Sequence, residues 1–213
     1  MNTNLKLNKS ISSLAVLSAV LVMTGCSSTG SGSTGASLGG GGGVTATATP
    51  TGQVAGGAGN IVTATGNAVS DTGTAVGNLS LPIVPQQTQT DLGNVVTEGG
   101  GIVSTLGNGI SSGLGQMGVI DNPVGVTVGS TGAVVNQTGV TVQSAGTLVS
   151  NLGTGQLAAL APVTAPVGGL VTKVGETVSN ASAPLTQVLT TGPVEQVTKT
   201  LSRTIVPLSL IHI

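Results

Sequence analysis

The side chains able to do covalent or acid–base chemistry are few: one cysteine, Cys26, one histidine, His212, and six carboxylates, Asp71, Asp91, Glu98, Asp121, Glu176 and Glu195. A serine or cysteine nucleophile needs a base beside it, and His212 stands alone at the end of the chain. Metal binding needs Cys, His or acid ligands at short, regular spacing; Asp71, Asp91 and Asp121 are isolated, and Glu98 and Glu176 read as solvated positions on a polar face. Gly113-Leu-Gly115-Gln-Met-Gly118 fits the dinucleotide pattern G-x-G-x-x-G. That pattern works only between a strand and a helix of a βαβ unit, and no such unit is readable. The sequence therefore predicts no catalytic residue, no metal site, no cofactor and no small-molecule substrate, and reads as non-enzymatic. Cys26 is the one residue with a definite chemical expectation, and its surroundings supply it.

Met1–Ser10 carries Lys6 and Lys9 and no acid, and Ile11–Met23 is an apolar run broken by a few serines. A short basic region, an apolar stretch of about 7–15 residues and small residues before a cut make an export signal. The stretch is shorter than the roughly 20 residues that span a bilayer. With Thr24-Gly25-Cys26 closing it, the segment resembles a bacterial lipoprotein signal peptide. The resemblance implies cleavage after residue 25, a diacylglycerol (diglyceride) thioether on Cys26, and a palmitate-type acyl chain on the new amine. Ser27 after the cysteine implies the outer membrane, on its periplasmic or its surface-exposed side. More than one acyl chain is what makes such an anchor stable. With no second cysteine, no intrachain disulfide forms.

The rest of the composition excludes whole classes of partner. Charged residues are 5% of 213, and there is no Trp, Tyr or Phe. Beyond residue 25 only Lys173, Lys199 and Arg203 are basic, for a net charge of −3. Nucleic-acid binding needs clustered cations and stacking rings, and an anionic membrane patch needs the same cations. The final Leu208-Ser209-Leu210-Ile211-His212-Ile213 back-translates as CTG TCT CTT ATA CAC ATC, the transposon end of a sequencing adapter. Residues 208–213 are therefore read as an assembly artefact, and nothing is assigned to His212.

These residues must be placed by a body of unusual regularity. Residues 26–58 are Ser, Thr, Gly and Ala, the composition of a flexible, disordered tether. From Gly59 a seven-residue unit recurs: Gly59-Asn-Ile-Val, Gly66-Asn-Ala-Val, Gly73-Thr-Ala-Val, Gly93-Asn-Val-Val, then Gly125-Val-Thr-Val, Gly132-Ala-Val-Val, Gly139-Val-Thr-Val and Gly146-Thr-Leu-Val, and again from Gly168 and Gly175. Such repeats dictate architecture. Proline cannot sit inside a helix without losing a hydrogen bond, so it divides residues 59–207 into blocks at about 59–80, 92–118, 125–160, 167–190 and 193–205.

Within the blocks Val, Leu and Thr recur at spacings of three and four, as in Val171, Val174, Val178, Ala181, Leu185 and Val188. That is one stripe of a helix, positions a and d of a heptad. The fold expected is mostly α: elongated or hairpin-forming amphipathic helices with the Val/Leu stripe buried between repeats or chains. The repeated glycine falls on the edge of that stripe, where it would let two helices approach closely. Glycine, valine and threonine are mediocre helix formers, so a β-roll (residues 125–138 and 139–152 agree at seven of fourteen positions) or a largely disordered body are the alternatives. The Gly-, Val- and Thr-rich body behind a lipobox resembles bacterial surface proteins labelled collagen-like, which implies an extended surface role. A collagen triple helix itself needs glycine at every third residue, and here the period is seven.

Together these readings give a glycine-rich, low-complexity cell-envelope lipoprotein of the outer membrane. Its role would be structural, adhesive or self-associating, and its partners the membrane, through the lipid anchor, and other copies of itself. The alternative is a protein whose amphipathic helices lie on the membrane surface.

Overall fold

The computed structural model describes residues 47–79 and 84–211, so the lipobox and most of the tether composition lie outside the described residues. All regular structure among the described residues is helical: α1 (Pro50–Gly77), α2 (Gln86–Ser112), α3 (Pro123–Leu152), α4 (Ala161–Asn180), α5 (Ser182–Thr190) and α6 (Gly192–Ile211). Short 3₁₀ segments at Leu114–Gln116 and Gly155–Leu160 join α2 to α3 and α3 to α4. The helical expectation holds, and no strand of a β-roll is present in these residues.

Local sequence sets the helix starts. The Thr49 hydroxyl accepts from Gly52 N at 3.1 Å, and Pro50 occupies the first turn, where its missing N–H costs nothing. Asn122 does the same for α3, its Oδ1 accepting from Gly125 N at 2.9 Å ahead of Pro123. This cap starts α1 nine residues before Gly59, so Pro50–Ala58, of tether composition, is helical and Gly52 extends the seven-residue series. Pro166 and Pro207 lie inside α4 and α6 rather than between helices. Gly118, at φ 88°, turns the chain between the first 3₁₀ segment and α3 in a conformation that favours glycine.

Within the chain, burial falls on the glycines and not on the Val/Leu stripe. The residues buried at helix interfaces are the glycines: Gly59, Gly66 and Gly73 on α1, Gly93, Gly100 and Gly107 on α2, Gly132, Gly139 and Gly146 on α3, and Gly168 and Gly175 on α4. Among the described residues Met117 is the one buried hydrophobic side chain; the stripe valines are half-buried, as at Val62, Val135 and Val171, or exposed, as at Val69, Val174 and Val188. The reason is geometric. A Cβ built on Gly66 would lie 2.6 Å from Gly100 O, and one on Gly139 would lie 2.7 Å from Gly175 O. Backbones that close leave no space for valine between them, so the stripe is displaced to the side.

The helices form an open layer. Each of α1 to α4 packs on the next in sequence, with no comparable packing of α1 on α4. Helix α3 shows why the layer does not close. Gly139 faces Gly175 of α4, whereas Gln137 reaches Gly101 of α2. Two residues are about 200° of helical turn, so α2 and α4 lie on opposite flanks of α3. Helix α5 continues along α3, and α6 crosses the end of the layer, touching α1, α3 and α5.

Candidate functional surface

The seven-residue unit resolves into three functions once the seams are known. Its first position is the seam glycine. Its fifth is usually Ser or Thr, which sits one turn further along the same seam. In the α1–α2 seam the Ser70 hydroxyl donates to Thr97 O at 2.9 Å and the Thr97 hydroxyl donates back to Ser70 O at 3.2 Å. Thr63 donates to Asn108 Oδ1 at 3.2 Å, and Ser111 to Asn60 Oδ1 at 3.0 Å. Small residues four apart with hydroxyls bonded across the interface are the device by which helices associate when apolar burial between them is small. Replacing Ser70 and Thr97 by Ala, singly and together, is expected to give a coupling energy of about 0.5–1.5 kcal/mol in a double-mutant denaturation cycle.

The fourth position carries the valines Val62, Val69, Val76, Val96, Val103, Val128, Val135, Val142, Val149, Val171 and Val178. It lies about 60° to one side of the seam glycine, and the second position about 100° to the other. Neighbouring helices in the layer run antiparallel and are related by a two-fold axis normal to it, so the same offset falls on the same face of each helix. One face of the layer is therefore apolar. The other carries Asn60, Asn67, Asn94 and Asn108 with the exposed charges Asp71, Lys173 and Glu176, beside Val126 and Val140 of α3, while Asp91 and Glu98 turn into the α2–α3 interface. On the apolar side Thr65 and Thr138 turn their hydroxyls back to Ile61 O and Val134 O at 2.9 Å each.

The chemistry-bearing residues are not gathered. Asp91 is buried between Gln87 Nε2 at 2.8 Å and Asn151 Nδ2 at 2.6 Å, which links α2 to α3. Gln137 donates to Glu98, a second such link. Glu195 pairs with Lys199 at 2.6 Å on α6, while Asp71, Asp121 and Glu176 are exposed. Among the described residues no three Cys, His, Asp or Glu lie together. The glycines of the dinucleotide-like motif pack instead: Gly113 against Thr127 and Gly115 against Gly56. Cys26 and His212 lie outside the described residues.

A polar clamp that sequence reasoning missed fixes α6. Asn122 Nδ2 donates to Thr198 Oγ1 at 3.1 Å, Ser202 Oγ donates to Asn122 Oδ1 at 3.0 Å, and Val124 N donates to Ser202 Oγ at 3.3 Å. Ser202 is 0% exposed. The signal was the cap-forming Asn122-Pro123; its partners lie 76 and 80 residues away.

Residues 81–212 match the family model described as bacterial collagen, middle region. The chain belongs to this family. It is a collagen-like repeat protein by family and an α-helical layer by fold, since its glycines fall every seventh residue and serve helix–helix seams. No curated protein and no solved structure matches the chain. Within the family region Leu157–Thr190 is long and apolar enough to cross a membrane by length and composition, its most apolar 18-residue window having a mean hydropathy of 1.5. Only 6% of its most apolar window is buried, which is the displaced stripe seen from its edge helix.

Proposed function

We propose that this bacterial collagen-family chain is a non-enzymatic structural protein of the cell envelope. It is acylated on Cys26, held at the outer membrane by that anchor, and raised from it by the Gly/Ser-rich tether. The observation that carries the structural reading is the seven-residue glycine seam, which spends the repeated residues of the body on building one extended helical layer. Membership of a collagen-like repeat family supports the same role. The anchor rests on the basic region, the apolar run and Thr24-Gly25-Cys26. Self-association, with an adhesive consequence at a surface, is the use to which a repetitive layer of this kind is suited.

Metabolic labelling with palmitate tests the anchor. The parent chain is expected to take up label and fractionate with the outer membrane, and the Cys26→Ser form to lose both properties. An unlabelled parent, or a Cys26→Ser form processed and retained like the parent, overturns it.

A further inference from the structure

We infer that the apolar face of the helical layer is an interface with a second copy of this chain, the two layers meeting face to face. The inference names the partner for the self-association proposed above and rests on that reading for its biological role. Its geometry is independent of the lipid anchor.

A helical layer with one apolar face is half of a domain architecture, because an apolar face is stable only against another layer. Here nothing within the described chain supplies that layer. On this face Val69 of α1, Leu92 and Leu106 of α2, and Val167 and Val174 of α4 are 38%, 44%, 46%, 45% and 57% exposed. Exposed patches beyond a few hundred Å² mark association sites. Helices of this length run about 40 Å, and four of them at interaxial distances of about 8–10 Å make a face about 30 Å wide. Two such faces pressed together bury roughly 2,000 Å² or more, which is what a specific, stable interface requires.

The charge pattern selects the occupant. The exposed charges of α1 to α5, Asp71, Lys173 and Glu176, lie on the opposite face, and Asp91 and Glu98 are hydrogen-bonded within the layer, so a two-fold pairing of apolar faces brings no like charges together and strands no unpaired ion. A lipid surface would favour Lys or Arg flanking the apolar stripe and Trp at its borders, and neither is present. Gly99 lies on this face in the middle of α2, and a Cβ there would meet nothing within 4 Å. A mid-helix glycine costs about 1 kcal/mol against Ala, and no contact within the chain requires this one. It leaves a depression for a side chain of the facing layer.

The test is the mass in solution of the full-length Cys26→Ser chain, which carries no acyl group, by analytical ultracentrifugation across micromolar concentrations. The parent is expected at twice its chain mass of 20.2 kDa. Leu106→Glu and Val174→Glu each weaken association at least about tenfold, with helix content by circular dichroism unchanged because both positions are exposed. Asn67→Glu, on the polar face, leaves it unchanged. A monomeric parent, face variants that associate like the parent, or an assembly dispersed equally by Asn67→Glu overturns the inference. So does a monomer that pellets with phosphatidylcholine vesicles through the same two side chains, which assigns the face to lipid. The palmitate result is unaffected by any of these outcomes.

Discussion

Gly66→Ala is expected to lower stability, although alanine is the better helix former. The substitution gains about 0.8–1 kcal/mol of helix propensity. Against that, the new Cβ would lie 2.6 Å from Gly100 O and 2.9 Å from Ser104 Cα, both backbone atoms of the opposing helix. Neither can rotate away, so α1 and α2 must separate. Separation stretches the neighbouring Ser70–Thr97 hydrogen bonds and opens gaps along the seam. Overpacking of this kind costs about 1–3 kcal/mol, and Gly66→Val, with two further methyls, exceeds it. Gly139→Ala in the α3–α4 seam should behave alike, its Cβ falling 2.7 Å from Gly175 O and Ser179 Cα. Gly57→Ala and Gly169→Ala have nothing within 4 Å and should raise stability by about 0.5–1 kcal/mol. Thermal denaturation followed by circular dichroism checks all four. At about 2–4 °C per kcal/mol for a chain of this size, the two pairs should move in opposite directions. If all four alanines stabilise equally, the glycines are not seam residues.

Asn122→Ala is the second large effect, and it is local. The side chain caps α3 through Gly125 N and holds Thr198 and Ser202 of α6 at the same time. Its loss removes a cap worth about 1 kcal/mol. It also leaves the Ser202 hydroxyl without its acceptor in a site with 0% exposure, at about 1–3 kcal/mol for an unsatisfied buried polar group. The sum, about 2–4 kcal/mol, falls on the junction between α6 and the start of α3 and not on the glycine seams. Hydrogen exchange should therefore show protection lost across α6 while amides of the α1–α2 seam keep theirs. Asn122→Asp, which retains the cap acceptor, should restore α3 but not the donation to Thr198. Uniform loss of protection across all helices would contradict a local clamp.

Much of this architecture was legible in the residues. The seven-residue spacing of glycine with valine three further on predicts a helical period, and the scarcity of charge excludes nucleic acid as a partner. The caps at Thr49-Pro50 and Asn122-Pro123 were not read from the sequence: residues 50–58 have tether composition, and the helix starts show only with the hydrogen bonds to Gly52 N and Gly125 N. The dinucleotide-like glycines illustrate the opposite case, since a short pattern in a chain with 36 glycines carries little information without its strand and helix.

What the one-dimensional pattern left open is which of two parallel stripes is buried. Glycine and valine recur with the same period, a few tens of degrees apart on the helix surface, so periodicity alone supports a valine core as well as a glycine seam. The choice is made between helices. Close approach of two backbones gains dispersion contacts and paired hydroxyl bonds such as Ser70 with Thr97, but only where opposing glycines meet in register, as Gly66 meets Gly100 and Gly139 meets Gly175. That register, and the antiparallel order that turns every valine stripe to one face, depends on residues tens of positions apart. The sequence by itself determined the period and the amphipathic character of each helix. The tertiary structure alone decided that glycine lies in the seam and valine, half-buried, beside it, because the fit between two surfaces is a property of the pair.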